Sequence, residues 1–297
     1  MALILDHRDK LPLELVEVIN SIDSTLSGND VESFWDCREY FDRICENEQL
    51  WADIINECVL EESASGEAKF ESSGLWQNES LSFHYDNNFH IRLTDTATNV
   101  FDVVQKYDSE EKTLVNGACH LMMAFITKSP MTLNRYELSE GHNFDVFDKD
   151  CKLTLKSSEK VIPYKRYEVN GYSEVIGFDN IGNEGALLVM NSRPVLSQQC
   201  EFDRETLKIM GASISSVDVS IILSILEQLS RYRHSESTDV VKKLLNNPSH
   251  YIRWAAIKCL SQLSPEESIN YIREAKSDKH PHIRDAANRT MYNLEAG

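Results

Sequence analysis

Tyr251-Ile252-Arg253-Trp254-Ala255-Ala256-Ile257-Lys258-Cys259-Leu260-Ser261-Gln262-Leu263 is followed, 31 residues on, by His282-Ile283-Arg284-Asp285-Ala286-Ala287-Asn288-Arg289-Thr290-Met291-Tyr292-Asn293-Leu294. Ile-Arg-x-Ala-Ala recurs in register, and so does the closing leucine. Each copy follows a short helical run and a proline-containing break, Asn247-Pro248-Ser249 in one case and Lys279-His280-Pro281 in the other. A fixed period with this grammar predicts stacked helical hairpins, each burying its apolar face against the next. In that reading Ile252 and Ile283 are buried at matching places.

Upstream, Ser216–Tyr232 carries Val217, Ile221, Ile222, Ile225, Leu226 and Leu229. Ile221, Ile225 and Leu229 fall 31 residues before Ile252, Ala256 and Leu260, which predicts a degenerate first repeat without the arginine. Helix is expected from 206 to the end.

The first 62 residues also read as helix. Pro12 suits a first turn, and Leu13, Val16, Ile19 and Ile22 follow at helical spacing. Ser27-Gly28-Asn29-Asp30 is a stop and a new cap. Phe34, Trp35, Cys37, Tyr40, Phe41 and Ile44 then share one face, read as core anchors, and Leu50, Trp51, Ile54, Ile55 and Cys58 continue it. Ser63-Ala64-Ser65-Gly66 breaks the pattern.

Between 66 and 205 the grammar changes to short apolar or alternating runs: Leu81–Phe83, Phe89–Leu93, His120–Ile126, Thr132–Leu138, Lys152–Leu155, Lys165–Val169, Glu174–Phe178 and Ala186–Met190. Turn residues separate them (Asp86-Asn87-Asn88, Ser129-Pro130, Gly182-Asn183-Glu184-Gly185). Asn170-Gly171 between two such runs predicts a hairpin. Asn99–Tyr107 reads as an insertion. The whole is an α+β multidomain chain: N-terminal helices (1–65), a β-sandwich or jelly roll (66–205) and a C-terminal helical repeat domain (206–297).

Composition limits the function. The chain has 297 residues, 41% apolar and 26% charged, with a net charge of -18. Residues 1–65 hold four basic and sixteen acidic side chains; residues 238–297 hold nine basic and seven acidic. That balance argues against general binding to nucleic acid or anionic membranes, and allows the acidic end to dock a basic partner. A stripe of Lys242, Lys243, Arg253, Lys258, Arg273, Arg284 and Arg289 is a minor basic feature. Met1–Leu5 meets Asp6 at once, too short for a signal peptide, and no apolar window is long enough to span a bilayer. Seven scattered cysteines without a CxxC pair read as reduced thiols in the cytoplasm.

The two C-terminal units resemble HEAT-like repeats of a short kind. The resemblance implies antiparallel helix pairs in an α-helical solenoid, with Arg253 and Arg284 at equivalent places joining one unit to the next. The candidate partner-binding residues are Arg253, Trp254, Arg284 and His282. The middle region resembles a cupin of the cysteine-dioxygenase type through Phe89-His90-Ile91-Arg92-Leu93, a middle strand ending in Tyr136, Tyr164-Lys165-Arg166-Tyr167-Glu168-Val169 and Ala186–Pro194. Such cupins hold iron through closely spaced histidines. Here no His-x-His occurs in the domain; the corresponding places read Tyr107-Asp108-Ser109-Glu110-Glu111-Lys112 and Gly171-Tyr172-Ser173-Glu174. The resemblance therefore implies a cupin-like body without its metal and no cofactor. If a metal were held there, its ligands would come from His84, His90, His120 and His142. Cys119-His120 place a thiol beside a base, but neighbours on a strand point oppositely. His280-Pro281-His282 reads as a turn with exposed rings.

The resulting expectation is a non-catalytic intracellular module that binds a protein partner through its repeats, as adaptor, inhibitor or complex subunit. The alternatives are a metal-dependent cupin-type oxygenase or isomerase with atypical ligands, using iron, and a metal-free small-molecule sensor. The oligomeric state is open.

Overall fold

The computed structural model describes residues 11–54, 56, 76–77, 80–95, 113–126, 131–179 and 186–296. The predicted breaks at 63–66, 129–130 and 182–185, the insertion at 99–107 and the whole 107–112 motif lie outside them. The chain divides into two compact units. One comprises Met1–Phe144, Asp148–Leu196 and Cys200–Gly211; the other comprises Asp145–Phe147, Ser197–Gln199 and Ala212–Gly297.

The first unit opens with helix α1 (Leu13–Leu26), a 3-10 stretch (Val31–Cys37) and α2 (Arg38–Cys45). Their apolar stripes share one core with the largest sheet. Leu15, Ile19, Ile22, Phe34, Phe41, Ile44 and Trp51 meet Leu81, Phe83, Ile91, Met122, Ala124, Leu188 and Met190. The Trp51 indole N–H donates to the Ile44 carbonyl at 2.7 Å, which satisfies its polar end while the ring is buried.

That sheet has the order β1-β2-β3-β10-β5-β8 (β1 Trp76–Gln77, β2 Ser80–Tyr85, β3 Phe89–Asp95, β5 Cys119–Phe125, β8 Tyr167–Val169, β10 Ala186–Pro194). All its pairings are antiparallel. Every residue of β5 is buried. The strand's alternation explains why: Met122 and Ala124 face the helices, whereas Leu121, Met123 and Phe125 face a second core with Leu133 and Phe178. β10 divides in the same way, Leu188 and Met190 against Leu187 and Val189. A strand covered on both faces reads as a continuous apolar run, as Leu121–Ile126 does.

The second core is closed by the sheet β7-β6-β9 (β6 Thr132–Leu138, β7 Leu153–Lys160, β9 Glu174–Asp179). A three-stranded sheet β12-β11-β4 (β4 Thr113–Val115, β11 Gln198–Asp203, β12 Ile209–Ile214) contributes Leu114, Cys200 and Phe202 to a third core with Tyr136, Phe144, Leu153 and Val175.

Two expectations for this region are corrected. Asn170-Gly171 does not close a hairpin: β8 pairs with β5 and β9 pairs with β6. The turn carries the chain from one sheet to another. Gly171 is required there by space, since a Cβ would lie 2.4 Å from the Cys119 carbonyl oxygen. The return to helix is also later than read, because β12 occupies 209–214; its residues are only part-buried and make a weak alternating pattern.

The second unit holds α3 (Val217–Tyr232), α4 (Thr238–Lys243), α5 (His250–Leu263), α6 (Pro265–Ala275) and α7 (Pro281–Ala296). Ser216 caps α3 by accepting from the Val219 N–H, and α6 begins at Pro265, whose fixed φ suits a first turn. α5 is enclosed on two sides. Ala256, Cys259 and Leu260 pack with Leu226 of α3 and Val241 of α4. Ile257 packs with Ile272 and Ala275 of α6 and Ile283, Ala287 and Met291 of α7. Ile252 and Ile283 are buried at matching places, as are Ala256 and Ala287; Ala255 and Ala286 are only half-buried, on the flank of each helix. The predicted frame of α3 is also corrected. Ile221 and Ile225 are exposed; Ile222 and Leu226, one residue or about 100° further round, pack in their place beside Leu229, which keeps its expected role.

Candidate functional site

The 31-residue period repeats hydrogen bonds as well as apolar positions. Asn247 Oδ1 accepts from the Ser249 N–H at 2.9 Å, and Asp278 Oδ1 accepts from the His280 N–H at 2.7 Å. One guanidinium nitrogen of Arg253 donates to the carbonyls of Asn247 and Pro248 at 2.9 and 2.8 Å. Arg284 does the same to Asp278 and Lys279 at 2.8 and 2.9 Å. Each arginine thus clamps the turn that leads into its own helix. Arg253 adds a fork to the next unit, donating to both carboxylate oxygens of Asp278 at 2.9 and 2.7 Å. Burial opposes ionisation of Asp278, but the Arg253 hydrogen bonds, the His280 N–H and the nearby positive charge outweigh it and hold the carboxyl below its ordinary range.

Of the residues expected to meet a partner, Arg253 is buried and its guanidinium serves these internal bonds. Arg284, Trp254 and His282 are half-buried. Trp254 rests on the core of Ile257, Ile272 and Ile283.

The unit also gathers three histidines that sequence reasoning did not bring together. Donor atoms of His250, His280 and His282 all lie within 4.8 Å of one another. His250 opens α5; His280 and His282 flank Pro281, which opens α7. His280 is buried, not exposed in a turn as read from the sequence. The rings of His250 and His280 are stacked, 3.6 Å between centroids and 3° from parallel, and His282 stands edge-on to His280 at 5.0 Å. His280 Nε2 lies 3.0 Å from the Asp145 carbonyl and His282 Nε2 lies 3.1 Å from the Phe147 carbonyl. A carbonyl only accepts, so both Nε2 atoms carry the proton and both Nδ1 atoms present a lone pair. Burial first, then the neighbouring imidazole, pushes His250 down to about 4, against the pull of Asp145; burial likewise lowers His280. Both shifts keep these two stacked rings neutral at physiological pH. The signal for it was available: position 281 is the 31-residue equivalent of 250, so stacked repeats bring the two helix starts alongside.

The four histidines named for a metal in the β-region have separate partners. His84 lies 3.3 Å from Asp86, His90 lies 3.0 Å from Ser82 Oγ, and His142 lies 3.3 Å from Asp148. His120 accepts from the Gly171 N–H at Nδ1 and turns Nε2 towards Glu32 at 3.6 Å, packed on Trp35 and Tyr172. Among the described residues, the three-histidine group of the helical unit is the one set of metal-ligating side chains that converges. Neighbouring Cys119 is buried on the opposite face of β5, and burial pushes its thiol up to about 12. Such a thiol is not a nucleophile at neutral pH.

Comparison with known families agrees with the periodicity. Residues 213–291 match the family model of HEAT repeats. No curated protein matches the chain. HEAT repeats are a protein-interaction type of module, in which stacked helices leave outward side chains with no internal role. Among the described residues, no helix is long and apolar enough to cross a membrane.

Proposed function

We propose that this chain is a non-catalytic, cytoplasmic protein-interaction module, an adaptor, inhibitor or subunit of a larger assembly, whose HEAT-like helices act as a short solenoid. The observation that carries the reading is the bare face of α3. Val217, Ile221, Ile225 and Tyr232 are 70%, 51%, 52% and 75% exposed and fall within about 80° of one another around the helix. Scattered exposed apolar residues need no explanation, but a contiguous stripe at helical spacing is the form of a helix-packing surface. In α5 the positions 31 residues on, Ile252 and Ala256, are buried, Ala256 against Leu226 and Val241 of neighbouring helices. A partner helix laid on α3 would continue the same packing. The cupin-like β-region serves in this reading as a metal-free body, supported by two antiparallel sheets sharing one core through Leu133, Phe178, Leu121 and Val189. The acidic N-terminal segment contributes on-rate and its salt dependence.

The test is capture from an extract of the source cells, using the full chain and an Ile221→Glu/Ile225→Glu variant as baits. The expected result is a protein retained by the first and lost by the second, with thermal unfolding unchanged. Equal retention by both baits, or no protein retained by the unaltered chain, overturns the reading.

A further inference from the structure

We propose that His250, His280 and His282 form a binding site for a borderline divalent metal ion, zinc above all, at the neighbouring starts of α5 and α7. The site is independent of partner binding through α3.

The donor set fits that chemistry. Three imidazoles suit zinc and its transition-metal neighbours; magnesium and calcium require oxygen ligands. The hydrogen bonds from His280 and His282 to the Asp145 and Phe147 carbonyls are the outer support that metal-bound histidines use, fixing tautomer and ring orientation and leaving Nδ1 as the ligand. These two rings are thus already held as ligands are held.

The nitrogens themselves are in an otherwise costly state. His250 Nε2 and His280 Nδ1 are buried, and no described residue offers either a hydrogen bond; the same holds for the Ser249 hydroxyl, the residue before His250. A buried polar atom left unpaired costs roughly 1–3 kcal/mol. These two nitrogens belong to a group of three imidazoles whose donor atoms lie within 4.8 Å of one another, so one electrophile can serve them together.

Charge and space agree. At both His250 and His280 the Asp145 carboxylate outweighs the positive charge of Arg253, which is paired with Asp278. Three neutral ligands leave one vertex of a tetrahedron open and the ion's charge uncompensated. The starts of α5 and α7, with the positive ends of their dipoles here, favour an anion in that fourth position. A tetrahedral ion about 2.0–2.1 Å from each nitrogen needs donors about 3.3 Å apart, closer than the 4.8 Å limit observed. Parallel rings cannot aim their nitrogens at one point, so binding requires His250 to turn out of its stack on His280.

The experiment uses the full chain, stripped with a chelator and titrated with zinc chloride by calorimetry. One ion per chain with a Kd below about 1 µM is expected. His282→Gln removes a half-buried ligand at the edge of the cluster. It should weaken zinc at least tenfold, the lower bound set by losses of about 10–100-fold for outer-shell partners alone. His142→Gln, in the other unit, should leave zinc binding unchanged. Cobalt added to the unaltered stripped chain should give the intense visible bands of a tetrahedral site, a readout that does not depend on any variant folding. No stoichiometric zinc binding, equal affinity in His282→Gln, or cobalt spectra of an octahedral aquo-type ion would each overturn the proposal.

Discussion

Helices α3 and α5 carry apolar residues at nearly the same spacing, and the structure treats them differently. α5 has helices on two sides and buries Ile252, Ala256, Ile257, Cys259 and Leu260. α3 has them on one side, buries Leu226 alone, and leaves Val217, Ile221 and Ile225 in solvent. The pattern states which residues can be buried; the number of neighbours decides which are. A repeat that ends an array therefore keeps the signature of a core while presenting part of it as surface.

The comparison breaks most decisively at its matched isoleucines. Ile283 is 1% exposed, so Ile283→Asp puts an uncompensated carboxylate into the seam between α5, α6 and α7. The expected cost is about 4 kcal/mol or more, enough to unfold the helical unit. Ile221→Asp, on the bare face of α3, should change stability by no more than about 0.5 kcal/mol. Thermal unfolding followed by helical circular dichroism separates the two. Similar losses from both substitutions would mean that α3 is not a free face.

The two repeat arginines sharpen it further. Arg253 and Arg284 make the same pair of carbonyl bonds, but only Arg253 also forks onto a carboxylate, Asp278, where the side chains are 6% and 14% exposed. Arg253→Ala leaves Asp278 buried without its counter-charge and should cost about 3 kcal/mol. Arg284→Ala loses hydrogen bonds at a half-exposed turn and should cost about 1 kcal/mol. Denaturant midpoints at neutral pH give both numbers, and equal values would show that the inter-unit fork adds nothing.

The helical unit was largely legible because its information is local and repeated: Ile252 and Ile283, and Arg253 and Arg284, announce each other in the sequence. In the β-region, continuous apolar runs such as Leu121–Ile126 marked strands well, and Thr132–Leu138 falls on β6. Pairing was not legible, because β10 lies between β3 and β5 through contacts far apart in the chain. Asn170-Gly171 misled for a related reason. Its glycine answers a close approach to Cys119 rather than a hairpin turn, and that approach exists only after the strands assemble. Short strands such as β4, three residues long, carry too little pattern to read at all. The histidine cluster is not legible in the His280-Pro281-His282 turn alone; only the 31-residue period, which superimposes the starts of α5 and α7, brings His250 to it.

A smaller effect than the loss of Arg253 is predicted for a second bidentate arginine pair, in the other unit. Arg38 donates to both oxygens of Glu168 at 2.8 Å, Arg166 joins it from β8's own edge at 2.9 Å and also reaches Asp42, so the network ties α2 to β8. Chemically it matches the Arg253–Asp278 fork, but the side chains of Arg38 and Glu168 are 40% and 32% exposed. Water already stabilises both charges there, which reduces what each gains from the other. Glu168→Gln should therefore cost about 1 kcal/mol at pH 7, about a third of the loss expected for Arg253→Ala. The pH dependence follows from the sign of the shift. The Arg38 hydrogen bond, against burial and with help from Arg166, lowers the Glu168 carboxyl below its ordinary 4.5. A depressed carboxylate contributes stability that is fully present above the unfolded value and lost as pH falls through the folded one. The gap between the unaltered chain and Glu168→Gln should accordingly persist from pH 7 to about 5, narrow as pH falls through the ordinary 4.5, and close below the lowered folded value. A gap that stays constant into acid would assign the loss to the shape of the side chain and not to its charge.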